Sequence, residues 1–372
     1  MGRSTREGVE CASRSGAIVN TALVDGIVRA VLYEGYMLYP YRPSAVKNRQ
    51  RFNFGVVYPR EYCDAKNSGD AWAMQTECLV AGNRKTECLI RVRFLRMVDR
   101  SIAKLTSACD EHLWIEPEKL ERVERLEANG QIFQPWQEAA EETIEIPGFG
   151  ISDLAQQPMQ WPFRSCAKQE RESIRDENGG IVGAIKRSKA KLEGLIELKA
   201  AMVTPDVFKL TVIIANQSYV QNPNDANRDM ALSQALVSAH TILEVSDGEF
   251  ISLADPPDRY RNLVRDCQNV GTWPVLVGVE GERNAMLSSP IILYDYPQIA
   301  PESPGDLFDG SEIDEILSLR ILTMTDEEKG EMRRSDDRAR RILERTEALP
   351  EEHWNKLHGA LRGLRASKGE LP

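Results

Sequence analysis

The chain has 372 residues, is 42% hydrophobic and 28% charged, and carries a formal net charge of −10. That length is enough for two domains, or one large one, around a sizeable core. The acidic balance argues against generic attraction to nucleic acid or to an anionic membrane, and no apolar run reaches the roughly 20 residues that span a bilayer.

Residues 1–20, rich in Gly, Ser and Arg, predict a flexible arm without the apolar stretch of a secretory signal. Seven cysteines, at 11, 63, 78, 88, 109, 166 and 267 with no C-x-x-C, then read as reduced thiols of a cytoplasmic protein. The spacing of Ile27, Val28, Val31, Leu32 and Tyr36 predicts a helix over 24–38, broken by Gly35 and Pro40. Residues 51–58, RFNFGVVY, alternate as a strand does. Residues 72–80 and 86–98 read as a hairpin with Gly82-Asn83 in its turn, Arg91, Arg93 and Arg96 sharing one side and Ile90, Val92 and Phe94 the other. The charged stretch 99–128 has a helical pattern, and 138–146 is a strand.

From 158 to 218 the pattern is mainly β, with strands at 181–185, 190–203 and 207–215. Gly179-Gly180 and Thr204-Pro205-Asp206 mark the turns. Connections this short require antiparallel pairing. Residues 227–239 predict an amphipathic helix, followed by a strand at 249–253, a short helix at 260–267, and strands at 273–279 and 285–293. The C-terminal part predicts helices near 312–323, 326–346 and 351–365, the second opened by a Thr325/Glu328 capping box. The expected fold class is α+β: an antiparallel, β-rich N-terminal and central body, barrel or sandwich, with a helical C-terminal region. The expected segments are 1–20, a mixed α/β part at 21–150, a β-rich part with one main helix at 151–295, and an acidic loop with helices at 296–372.

The candidate chemistry is sparse. Of four histidines, His112, His353 and His358 sit in charged helical patterns. His240, placed at the end of the 227–239 helix with Glu244 and Glu249 close in sequence, is the candidate metal ligand; an interaction with the helix C-terminus is the simpler reading. No cofactor is identified, and a bound transition metal at His240 is one alternative. Thr76-Glu77-Cys78-Leu79 recurs as Thr86-Glu87-Cys88-Leu89, so the two thiols face each other if the hairpin forms, as a redox or soft-metal pair or as small core residues. The acids at 306, 309, 312, 314 and 315 miss the EF-hand spacing and suit helix starts.

Charge is distributed unevenly. Residues 1–60 hold nine Lys/Arg against four Asp/Glu, a net of +5, and residues 295–352 hold eight against seventeen, a net of −9. Within the first region Tyr39, Tyr41, Arg42, Lys47, Arg49 and Arg51 interleave aromatics with cations. That mixture suits an acidic protein surface or, as a further alternative, an enzyme binding a small anion. Tyr294, Asp295 and Tyr296 open the aromatic, acidic loop that could answer it.

Three stretches, VLYEGYMLYPYRPSAVKNRQRFNFGVVYPR, ALSQALVSAHTILEVSDGEFISLADPP and SPIILYDYPQIAPESPGDLFDGSEIDEILSLRILTMTDEEK, together resemble an uncharacterised bacterial protein family associated with nickel–iron hydrogenase gene clusters. The resemblance implies a non-catalytic accessory protein in hydrogenase assembly or maturation, whose partner is a hydrogenase subunit or another maturation factor. It carries over no catalytic residue.

Overall fold

The computed structural model describes residues 21–34, 36, 54–67, 69–106, 120–298, 318, 320–335 and 337–350. The expected N-terminal arm, the acids at 306–315, His112, His353, His358 and the helix at 351–365 lie outside the described residues. The fold is α+β, and its sheet pairings are antiparallel throughout. Among the described residues no helix is long and apolar enough to cross a membrane.

The spine is β1 (Ala73–Leu105), a single strand of 33 residues. Along its length it pairs with β10 (Val207–Asn216), β11 (Val237–Ile251), β5 (Trp136–Gly150), β8 (Ile181–Lys189) and β2 (Leu120–Val123). The predicted hairpin is therefore overturned. The turn chemistry at Gly82-Asn83 is real, but it makes a bulge instead of a reversal. The Asn83 side chain accepts from the Lys85 N–H, and Thr86 Oγ1 accepts from the Asn83 N–H while donating to the Asp247 carbonyl. Five steps along β1, from Gly82 to Glu87, match two along β11, from Gly248 to Ser246. Gly82 and Gly248 face each other here because a Cβ on either would stand within 2.8 Å of the buried Thr86 side chain.

Beyond the bulge the same face of β1 returns to the core. Met74, Cys78 and Val80, then Cys88, Ile90, Val92 and Phe94, all enter one apolar cluster with β9 (Leu192–Thr204), β10, β11 and the short helix α3 (Ile151–Gln156). Alternation also corrects the arginines. Arg91 and Arg93 point to the opposite face, whereas Arg96 lies on the side of Phe94 and is fully buried.

The stretch at 99–128 is strand where it is described: the end of β1, then β2, then β3 (Leu126–Ala128), which turns through Asn129-Gly130 into β4 (Gln131–Phe133). β6 (Met159–Ser165) pairs with β9, and β7 (Lys168–Arg175) turns through 176–180 into β8. The predicted helix at 227–239 shrinks to α4 (Arg228–Ser233), and β11 takes the rest. The run at 235–243 is buried on both faces of the sheet, so it is apolar at helical as well as strand spacing. β12 (Trp273–Leu276) and β13 (Ala285–Ser289) extend the sheet from β11. Residues 54–58 form no strand beyond a single bridge at Val57.

α1 (Thr21–Leu32) lays Val24, Ile27 and Val28 on β11, β12 and β13. α2 (Arg60–Lys66), α4 and the C-terminal helices α6 (Asp326–Ser335) and α7 (Asp337–Glu347) share another cluster with Leu95, Met97 and Trp136. A short α5 (Arg261–Arg265) flanks Leu79 and Val207. In α7 the buried positions are Ala339, Ile342, Leu343 and Thr346, the i, i+3, i+4, i+7 stripe of an amphipathic helix. The α6 capping box forms as expected, with the Glu328 carboxylate accepting from the Thr325 N–H and the Thr325 hydroxyl accepting from the Glu328 N–H. Thr325→Ala is expected to cost about 1 kcal/mol in urea denaturation and to speed amide exchange in the first turn of α6.

A candidate binding cleft beside the start of strand β11

A cleft of about 420 Å³ opens where five separate segments meet. Phe54, Tyr58, Asp70, Arg228, Trp273 and Pro290 form much of its lining. Its wall is residues 54–58, held to the start of β11 by backbone bonds. Val57 and Leu236 exchange N–H···O bonds, Ser238 N–H donates to the Phe54 carbonyl, and Ala239 N–H donates to that of Gly55. The buried Asn216 amide donates to the carbonyls of Val57 and Gln234, tying the wall to the end of β10. Gly55 passes so close to Pro290 that a Cβ would fall 2.5 Å from the proline ring, and its φ of +53° favours glycine as well.

The floor is polar. Burial pushes the Tyr58 phenol up to about 12; Asp70 and Tyr62 add to the shift, while Arg228 opposes it by its charge and a hydrogen bond. Behind the cleft, in the core cluster rather than the lining, Cys63 of α2 is likewise pushed up to about 11 by burial and then by Asp70 and Asp64. Both groups stay protonated at neutral pH, so Tyr58 offers a phenolic hydroxyl rather than a phenolate. Arg228 opens α4, whose N-cap is Asn227 accepting from the Met230 N–H.

The rim is apolar and open to solvent. Phe54 is 43% and Trp273 44% exposed. Val270, one residue before the cleft's Gly271, and Met230, two residues after Arg228, are also exposed. Past Pro290 the chain carries Ile292 and Tyr294, which are 73% and 88% exposed.

The predicted site residues fall out differently. Of Tyr294, Asp295 and Tyr296, Tyr294 projects while its neighbours anchor the loop. Asp295 accepts from the Ser252 hydroxyl at 2.5 Å and from the Leu276 N–H at 2.8 Å. Tyr296 donates its N–H to the Leu276 carbonyl and its hydroxyl to that of Glu282. Tyr39, Tyr41, Arg42, Lys47, Arg49 and Arg51 lie outside the described residues.

His240 is inside β11, not at a helix end, and is fully buried. Its Nδ1–H donates to the Ser238 carbonyl at 2.7 Å, and its Nε2 accepts from the Ser289 hydroxyl at 3.2 Å. The Ser289 oxygen in turn accepts from the Ile291 N–H. Both ring nitrogens are therefore committed, which leaves no lone pair for a metal. Glu244 pairs with Arg91 at 2.6 Å, and the exposed Glu249 stands opposite Ala81, far along β1 from Arg93, the partner of His240. Among the described residues no three His, Cys, Asp or Glu side chains gather in a metal-holding group.

Cys78 and Cys88, predicted to face each other across a hairpin, sit on the same strand. Cys78 stands opposite Leu210, and Cys88 opposite Val245 and Phe149. Both belong to the main core, where burial raises Cys78 well above the ordinary thiol range and Cys88 to about 12.

Comparison of the chain with protein-family models, with curated proteins and with solved structures finds no match.

Proposed function

We propose that this chain is a non-catalytic accessory protein of the cytoplasm that binds another protein through the face carrying Phe54 and Trp273. Its partner, on this reading, is a nickel–iron hydrogenase subunit or maturation factor. The observation that carries the binding role is that two large apolar side chains, Phe54 and Trp273, stand open to solvent in the lining of a cleft that also carries Tyr58, Asp70 and Arg228. Exposed aromatics beside a cleft are frequent anchors of protein interfaces, where truncating a hot-spot Trp or Tyr costs about 2 kcal/mol or more. The partner class rests on the resemblance of the three sequence segments.

Affinity capture from cells expressing a nickel–iron hydrogenase tests the reading. The wild-type chain is expected to recover a hydrogenase subunit or maturation protein at low salt. A Phe54→Glu/Trp273→Glu variant of unchanged melting temperature is expected to recover at least tenfold less. Clean capture of neither class by the wild type sinks the proposal, and equal recovery by the variant moves the interface elsewhere.

A further inference from the structure

A second cleft, of about 230 Å³, lies between α1, β5 and α7, and its chemistry is different. Arg338, Arg341 and Arg345 line it from α7 and Arg29 from the last turn of α1, with Tyr33 and Glu141 between them. Four guanidiniums thus surround one carboxylate, a local excess of three positive charges in a chain whose total is −10. The carboxylate is itself already engaged. Arg93 reaches Glu141 at 2.7 Å. Burial would raise the Glu141 pKa, but hydrogen bonds from Arg93 and Tyr33 and the charges of Arg93 and Arg338 hold it below the ordinary carboxylate range.

The arginines are arranged as a receptor. Arg338, Arg341 and Arg345 follow an i, i+3, i+7 spacing, which places them along one side of α7 over about 10 Å. Arg338 is fixed in orientation: its guanidinium lies 4.1 Å over the Tyr33 ring, donates to the Tyr33 hydroxyl and reaches the Ala139 carbonyl at 3.4 Å. Arg341 is steadied by a bond from its Nε to the Asp337 carbonyl. Planar forks held in this way match the oxygens of phosphate groups in pairs, and pre-set geometry lowers the entropy lost on binding.

We infer that this cleft is a binding site for a phosphate-class oxyanion, and that its elongated row of guanidiniums selects a diphosphate over a monophosphate. The site is separate from the Phe54–Trp273 cleft and does not depend on its proposed role. The shared ligand chemistry is the diphosphate group, free or carried by a nucleoside.

Isothermal titration of the full chain at low salt with pyrophosphate, phosphate, ADP and, as a control, sulfate tests this. Saturable one-to-one binding of pyrophosphate, tighter than phosphate or sulfate, is expected. Arg29→Ala and Arg341→Ala are each expected to weaken it about tenfold or more. ADP binding tighter than pyrophosphate identifies a nucleoside-borne ligand, and equal binding a free diphosphate. Heat that does not saturate, sulfate matching pyrophosphate, or both variants binding as the wild type overturns the assignment. Both arginines are exposed, and melting temperatures measured alongside separate lost binding from lost folding; Arg29, at the end of α1, keeps the test open if α7 is disturbed.

Discussion

Replacing Arg96 with alanine is expected to remove about 3–5 kcal/mol of stability, the largest loss from any single charged residue discussed. Arg96 is fully buried on the Phe94 side of β1. Its Nη2 donates to the Ala190 carbonyl at 2.5 Å, and its Nη1 stands 3.5 Å from Glu142, an ion pair longer than a good hydrogen bond. Burial lowers the Arg96 pKa, with Glu142 working against that shift. Alanine would leave a cavity the size of a guanidinium and its stem, and it would strand the Ala190 carbonyl. Glu142 would remain compensated, because it also holds Lys189 and accepts from the Ser165 hydroxyl at 3.0 Å. Arg96→Met, which keeps most of the volume and buries no charge, is therefore expected to cost about 2 kcal/mol or less. Urea denaturation of the two variants decides the matter. Equal losses would mean that the charge, not the packing, is what the site requires.

The parts of the fold that could be read from sequence were those in which local chemistry and tertiary structure agree. The capping box at Thr325 and the turns at 176–180 and 204–206 appear as expected, and Ile27, Val28 and Leu32 of the expected stripe are buried on α1, although that helix runs over Thr21–Leu32 rather than 24–38 and leaves Tyr36 beyond its end. Misreadings arose where local chemistry serves a non-local end. Asn83 makes a tight local turn, but pairing on both sides of β1 converts it into a bulge within a continuing strand. Residues 235–239 matched a helix because burial on both faces removes the alternation that marks a strand. Asn129-Gly130, with φ of 53° and 69°, was a readable hairpin signal hidden inside a charged stretch taken for helix.

The sites were less legible for a related reason. The Phe54–Trp273 cleft is assembled from residues 54–58, 69–74, 228, 271–273 and 290, and no short pattern contains them. Tyr294 was named from sequence, but which of three adjacent residues projects depends on Asp295 finding Ser252 and Leu276. The arginine row of α7 has an i, i+3, i+7 spacing, but nothing in the sequence sets it apart from an ordinary solvated helix face. Its partner across the cleft, Arg29, is some 300 residues away in sequence, and only the docking of α1 against β5 and α7 gives the row an opposite wall.

His240 should make the protein acid-sensitive in a window that opens well above the range where carboxylates titrate. Burial lowers its pKa from 6.5 to about 4; the Ser238 carbonyl opposes that shift, and the charge of Arg93 adds to it. The folded chain therefore resists protonation that the unfolded chain accepts. The stabilisation is fully present above about pH 6.5, is lost as pH falls toward 4, and amounts to about 2 kcal/mol between pH 7.5 and 5. The consequence reaches the Phe54–Trp273 cleft. Ser238 is held at a φ of +51°, a conformation costly for a side chain other than glycine, and its N–H supports Phe54. The Ser289 hydroxyl that donates to the imidazole precedes Pro290, which packs on Gly55. A proton on Nε2 would turn that acceptor into a donor and force Ser289 to reorient, loosening both walls at once. His240→Gln is expected to lower stability at pH 7.5 while flattening its dependence between pH 7.5 and 5. Tryptophan emission from Trp273, followed in a variant lacking the other tryptophans, should shift over the same interval in the His240 chain alone. An unaltered pH slope in the glutamine variant would show that the acid sensitivity lies in other groups and that His240 merely fills the core.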